Sequence, residues 1–265
     1  RMLAMAEVAW FKGGVDWSNF EKRVQRHFSL LDAMNINYRL PDLDGFTTQS
    51  VFVDKGKLHI NKPLAGLTIR YTTDGTLPTL QSKIFNGDLT ITKPVEFKVA
   101  GFRPNGNRGD IYTINYEHRD YMKPVQLASP EKGLKFSYYP RFYKTVNAID
   151  EKDLASESIT AAIEIPVAKT AESFATRHKG YFYAEETGIY SFALRSDDGS
   201  VLKLGDKVFI DSDGMHTSIE KSAEIALEKG YHPFELMFLE GGGGYTLKLQ
   251  YKAPSGKLKD VDASV

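Results

Sequence analysis

From about residue 45 onward the chain alternates apolar and polar residues with a period of two, and turn residues interrupt the alternation at short intervals. Successive side chains of a strand point to opposite faces, so this pattern describes half-buried sheets and leaves little room for helix. Leu58-His59-Ile60, Thr68-Ile69-Arg70-Tyr71-Thr72, Val95-Glu96-Phe97-Lys98-Val99 and Ile111-Tyr112-Thr113-Ile114 are the first such runs. Thr73-Asp74-Gly75-Thr76 and Pro104-Asn105-Gly106-Asn107 supply turns between them. Residues 45–120 are therefore predicted to form a small antiparallel sandwich of immunoglobulin-like size. A charged stretch, Glu117-His118-Arg119-Asp120, then leads toward Pro124 and Pro130 and reads as a linker. A larger all-strand domain follows over 131–265. Its clearest strands are Tyr181 to Tyr183, Tyr190 to Leu194, Val201 to Leu204, Val208 to Ile210, Phe234 to Leu239 and Tyr245 to Tyr251. Gly205-Asp206 fits a two-residue hairpin turn, and Gly241 to Gly244 join the last two strands.

Residues 1–40 have a different texture. Met2 to Trp10 is rich in helix formers and almost wholly apolar, and Gly13-Gly14 breaks it. Ser18-Asn19-Phe20-Glu21 spells a capping box for a second helix. Phe20, Val24, Phe28, Leu31 and Met34 recur at helical spacing. Two such helices are too small to bury themselves and must find cover, either on the small sandwich or on a second copy of the chain.

Several function classes drop out. Lysine plus arginine and aspartate plus glutamate both number 34, so charge favours neither nucleic acid nor an anionic membrane. No apolar run approaches the ~18 residues of a membrane span. Without cysteine there is neither disulfide nor thiol catalyst. His27, His59, His118, His178, His216 and His232 show no zinc-ligand spacing, and no nucleophile elbow or phosphate loop is present. The chain begins at Arg1 without a leader, which suggests an excerpt of a longer protein.

One stretch concentrates carboxylates. Ser196 to Gly214 reads SDDGSVLKLGDKVFIDSDG, with Asp197 and Asp198 before a short apolar hairpin and Asp211 and Asp213 after it. Three readings stand. The acids shape turns, with Asp197 or Asp198 in an Asx-turn before Gly199 and Asp213-Gly214 closing another. They accept hydrogen bonds from a sugar without a metal. Or Asp197 and Asp198 hold calcium, which would require a cis peptide bond to bring neighbouring side chains together.

These motifs carry a resemblance. Gly180-Tyr181-Phe182-Tyr183, Gly188 to Phe192, Ser196 to Ser200 and Ile210 to His216 are similar to the protective-antigen-type (PA14) β-sandwich found in bacterial toxins, glycosidases and yeast adhesins. Ile69 to Pro78 resembles the C-terminal sandwich of chitobiase-like hexosaminidases, and Arg1 to Arg39 looks like the closing helices of the family 20 glycoside hydrolase barrel. Together they imply a mainly β chain of two sandwiches, 45–120 and 131–265, preceded over 1–40 by two helices left from a TIM barrel. The resemblance implies the non-catalytic C-terminal region of a β-N-acetylhexosaminidase, a glycosidase that releases terminal N-acetylhexosamine. The Asp-Glu pair of that family lies in the barrel, so no catalytic residue is carried over here. Glu7 reads as a salt-bridging carboxylate on its helix. Trp10 and Trp17 read as core aromatics. The implied partners are N-acetylhexosamine glycans and the parent barrel, with a homodimer as the alternative, in the periplasm, at the cell surface or secreted. Candidate carbohydrate-binding residues are Asp197, Asp198, Asp211, Asp213, Glu240 and Tyr245. Adhesins of the family add a loop asparagine to an adjacent Asp-Asp pair to bind calcium. Here that loop is Glu240-Gly241-Gly242-Gly243-Gly244, so only Glu240 could replace it.

Overall fold

The computed structural model describes residues 2–11, 13–14, 16–166 and 172–261. Contacts divide the chain into two compact units. One comprises Arg1–Phe46, Lys57–Ile91 and Val95–Asn115, and the other Thr47–Gly56, Thr92–Pro94 and Tyr116–Val265.

In the first unit, α1 (Met2–Trp10) has no buried residue. Met2, Met5, Val8 and Trp10 are largely exposed, and Trp17 is 66% exposed, so the two tryptophans are not core residues of this unit. Helix α2 (Trp17–Ala33) begins two residues earlier than the capping box predicts. Its N-cap is Asp16, whose carboxylate accepts from the Asn19 N–H at 3.2 Å, and the Ser18 hydroxyl donates to the same oxygen. An ionised carboxylate is the stronger acceptor for a helix-start N–H, which is why aspartate takes the role expected of serine. Glu7 forms an ion pair with Arg23 between the helices, as its helical position suggested. Phe28 stacks on Tyr38 with ring centroids 4.8 Å apart. Arg103, buried, lies over the other side of this cluster, 4.6 Å from the Tyr38 ring centre, and donates to Asn37 Oδ1. The helical segment is thus fastened by α2 and the residues after it, while α1 contributes the Glu7–Arg23 ion pair.

The first seven strands are β1 (Gln49–Phe52), β2 (Gly56–Leu58), β3 (Thr68–Thr72), β4 (Lys83–Ile84), β5 (Leu89–Ile91), β6 (Val95–Phe102) and β7 (Arg108–His118). In the first unit β6 lies between β7 and β3, β4 edges β3, and β2 pairs with β5. Leu58, Ile69, Phe97, Val99 and Ile114 fill the interior, as the alternation predicts.

The second unit is built from β8 (Leu134–Tyr139), β9 (Ser156–Thr160), β10 (Phe174–Ala184), β11 (Gly188–Asp197), β12 (Ser200–Leu204), β13 (Lys207–Ser212), β14 (Ile219–Leu227), β15 (Gly230–Glu240), β16 (Thr246–Lys252) and β17 (Leu258–Asp260). They form a six-stranded sheet, β13-β12-β15-β10-β8-β9, and a four-stranded sheet, β14-β11-β16-β17. Phe182, Leu202, Leu204, Phe234 and Leu236 from the first meet Tyr190, Phe192, Leu194 and Leu249 from the second in one core. Each large apolar side chain so buried contributes roughly 1.5–3 kcal/mol, enough for a core of this size to hold the sandwich without disulfides. Gly205-Asp206 forms the predicted hairpin turn between Leu204 and Lys207, with Gly205 at φ +63.

Two histidines are embedded in this unit. His178 and His232 are fully buried, and each ring donates from Nε2 to a backbone carbonyl, Glu164 O at 2.9 Å and Glu228 O at 2.7 Å. Their Nδ1 atoms have no hydrogen-bond partner. Burial pulls the pKa of both down, that of His178 to about 4. Glu224 on β14 accepts from the Val51 N–H at 3.2 Å, and burial pushes its carboxyl up.

Candidate functional site

The chain passes from one sheet to the other between Asp197, the last residue of β11, and Ser200, the first of β12. Buried Ser196 and Ser200 bracket this crossing, with their hydroxyls 2.7 Å apart. Asp197 faces Thr246 in the β11–β16 register, one residue after Tyr245 in the chain. The Asp197–Asp198 peptide bond is cis.

Asp198 is 8% exposed and holds two loops at once. Its Oδ1 accepts from the His216 N–H and its Oδ2 from the Gly241 N–H, both at 2.9 Å. The Asx-turn expected before Gly199 is therefore replaced by a long-range clamp. A carboxylate with two oxygens can satisfy two distant backbone donors that would otherwise be left unpaired. Close packing accompanies the clamp. A Cβ on Gly199 would stand 2.6 Å from Gly214 O, and one on Gly241 would stand 1.9 Å from Met215 Cε.

The other acids divide by role. Asp211 Oδ1 accepts from the Asp213 N–H at 3.0 Å. Asp213 Oδ1 accepts from the N–H groups of Gly214 and Val146, each at 2.8 Å, closing the predicted turn and also tying in the segment before β9. Glu240 is 2% exposed; Oε1 accepts from the Gly242 N–H at 2.7 Å, whereas Oε2 has no partner. Burial pushes the Glu240 carboxyl up, and the charges of Asp198 and Asp197 add to the effect. Glu240 thus shapes the glycine loop from inside.

Tyr245 stands at the end of that loop, 43% exposed, edge-on to Phe174 with centroids 5.5 Å apart. Its ring is partly exposed at the same end of the sandwich as Asp197. Asp197 and Asp198, the Gly241–Gly244 loop and Tyr245 therefore share one rim, whereas Asp211 and Asp213 serve the neighbouring loop. The N–H groups of His216 and Gly241 complete the rim, and no side-chain pattern in the sequence marks either. Among the described residues no group of three or more histidine, aspartate or glutamate side chains stands where it could hold a metal ion. Chemically, the rim offers carboxylate acceptors and an aromatic surface.

Residues 130–264 match the PA14 domain family, and residues 48–113 match the chitobiase/β-hexosaminidase C-terminal domain. No curated protein matches the chain. Among solved structures, the PA14 sugar-binding domain from an RTX adhesin aligns over 50% of this chain and 96% of its own, at 17% identity and a TM-score of 0.44. The epithelial adhesin 6 A domain from Candida glabrata, in complex with Galb1-3GlcNAc, aligns over 52% and 87%, at 15% identity and a TM-score of 0.43. An anti-sigma factor domain-containing protein from Clostridium clariflavum aligns over 79% and 82%, at 17% identity and a TM-score of 0.41.

Proposed function

The chain belongs to the PA14 domain family through residues 130–264, and from that premise we propose that it is a carbohydrate-binding accessory region whose ligand rests on the rim around Asp197 and Tyr245. The observation that carries this reading is the Asp198 clamp. By fixing two loops at once, it leaves the neighbouring Asp197 carboxylate, to which no described residue donates a hydrogen bond, on the same rim as the partly exposed ring of Tyr245. Sugar hydroxyls donate well to a carboxylate, and the apolar face of a pyranose suits a tyrosine ring.

The two family matches in one chain fit the C-terminal region of a family 20 hexosaminidase. On that basis the full protein is a β-N-acetylhexosaminidase acting in the periplasm, at the cell surface or outside the cell. Its glycan is one bearing N-acetylhexosamine. A glycan array probed with this chain tests the binding role. Signal on N-acetylhexosamine-terminated glycans is expected, reduced about tenfold or more by Asp197→Asn and by Tyr245→Ala. An array silent for the parent chain overturns the reading.

The donor set also bears on calcium. With no third acidic or histidine side chain among the described residues placed to share an ion with Asp197 and Asp198, calcium is expected to leave the melting temperature nearly unchanged. A cation held by the folded state alone would add about 2.7 kcal/mol at a hundredfold excess over its Kd. Calorimetry with calcium and with chelator distinguishes these outcomes, and a clear rise lost in Asp198→Ala would restore a calcium-assisted site.

A second reading, a protein-interaction or oligomerisation module, is favoured by the exposed apolar residues of α1, with Trp10 at 84%. It calls for a mass in solution that increases with concentration and falls when Met5 and Trp10 are made polar.

A further inference from the structure

Outside the PA14 rim, the first unit contains a cavity with its own charge pattern. Lys57, His59 and Asn61 are exposed at alternate positions along and just beyond β2, which places them on one face. The turn Asn86-Gly87-Asp88 meets them from the strand that pairs with β2. Asp88 is fully engaged there: His59 Nδ1 lies 2.5 Å from Oδ1 and Lys57 Nζ 2.6 Å from Oδ2. The other ring nitrogen of His59 lies 2.9 Å from Asn61 Oδ1. A protonated ring would donate to both acceptors. The hydrogen bond to Asp88, followed by that to Asn61, holds the His59 pKa above its ordinary value, with Lys57 opposing.

The charge count then has a direction. Lys57 balances Asp88, so the cluster of Lys57, His59 and Asp88 carries a net positive charge whenever the His59 ring is protonated. Lys62 adds another and has no ion-pair partner among the described residues. Of these groups His59, Lys62 and Asp88 edge a cavity of 350 Å3 floored by Ile60, Ile69 and Phe85, all buried, while Lys57 lies outside its lining. That is the small end of ligand-sized cavities, about 300–1,000 Å3. Gly87, at φ +129, has open space where a Cβ would stand, so this side of the mouth is clear.

We propose that this cavity is an oxyanion site for a single sugar ring bearing a carboxylate or a sulfate ester, with Lys62 meeting the anion and the apolar floor meeting the ring. A neutral sugar would leave the positive charge unanswered, and a free inorganic ion would leave the floor uncovered. The choice of a sugar rests on the carbohydrate-binding reading above, whereas the site itself is separate from the PA14 rim, since none of its residues lies in 130–264.

Amide chemical-shift titration of the whole chain at low ionic strength tests it, with glucuronate, N-acetylglucosamine 6-sulfate, N-acetylglucosamine and sodium sulfate as probes. Glucuronate and the sulfated sugar separate the two sources of the anion, and a saturable shift of the His59, Lys62 and Asn86 amides with either one supports the site. N-acetylglucosamine should produce none, and inorganic sulfate should bind at least about tenfold more weakly than the better anionic sugar. Lys62→Met is expected to weaken binding about tenfold and Asp88→Asn to strengthen it, an opposition that general damage to the fold would not produce. Melting curves confirm that both variants fold. Absence of anion-specific shifts in the parent chain overturns the proposal, as does an affinity that Lys62→Met leaves unchanged or that both variants lower.

Discussion

Asp198→Ala is expected to destabilise the second unit by about 3 kcal/mol, the sum of two charge-assisted hydrogen bonds lost from a buried position. The two N–H donors belong to residues 18 and 43 positions further along the chain, so no local rearrangement can supply a substitute for both. Asp198→Asn should recover little of this. An amide presents one oxygen and one NH2, and the NH2 would face a backbone donor. Asp197→Ala, by contrast, removes no loop hydrogen bond and should change stability by less than about 0.5 kcal/mol. Urea denaturation of the three variants in the presence of chelator measures the difference. If Asp197→Ala proved the more damaging, the clamp would not be what holds the rim.

Acid is expected to weaken the same unit through His178. In the unfolded chain its imidazole takes up a proton near the ordinary value of about 6.5, but in the folded chain only near about 4. Above pH 6.5 both states are neutral and the full stability is present. Between about 6.5 and 4 the unfolded state binds a proton that the folded state refuses, so stability falls as pH falls, by about 3 kcal/mol in all. Below about 4 both states are charged and this source of loss ends. His232, also lowered by burial, adds in the same direction. Glu224 and Glu240, both raised, act oppositely, so the net slope is the observable. His178→Gln keeps an N–H for Glu164 O while removing the titration. Its denaturation midpoint should therefore change less between pH 7 and pH 4.5 than that of the parent chain. Equal slopes would show that His178 does not carry the acid response.

Much of the fold is legible where one face of a strand is buried and the other wet. Thr68–Thr72 coincides with β3, and Tyr190, Phe192 and Leu194 alternate inward along β11. Strands β8, β9 and β14 were less visible, for different reasons. Leu134–Tyr139 is buried at five of six positions and so lacks alternation. Ser156–Thr160 is a sheet edge with little apolar content. Ile219–Leu227 is written largely in helix formers, and pairing with β11 over nine residues overrides that preference. In the rim, the acids could be named from sequence. Which acid acts, and on what, could not be, because the partners of Asp198 are backbone N–H groups that every residue except proline possesses. The cap of α2 makes the same point at smaller scale, since two plausible oxygens sit two residues apart and only geometry chooses between them.

The loop from Gly241 to Gly244 has a kinetic consequence. Gly242, Gly243 and Gly244 adopt φ of +131, +103 and +117, and no atom approaches within 4 Å of the Cβ positions of the last two. Such a segment would wander if left alone, because glycine loses more conformational freedom on ordering than any other residue. Here Asp198 and Glu240 grip its first two N–H groups before any ligand arrives. The ordering cost is therefore met during folding rather than at encounter, which is preorganisation. On the proposed carbohydrate-binding reading, a sugar should consequently associate at a rate set by diffusion and orientation. Discrimination among glycans would then be expressed almost wholly in how long each one stays.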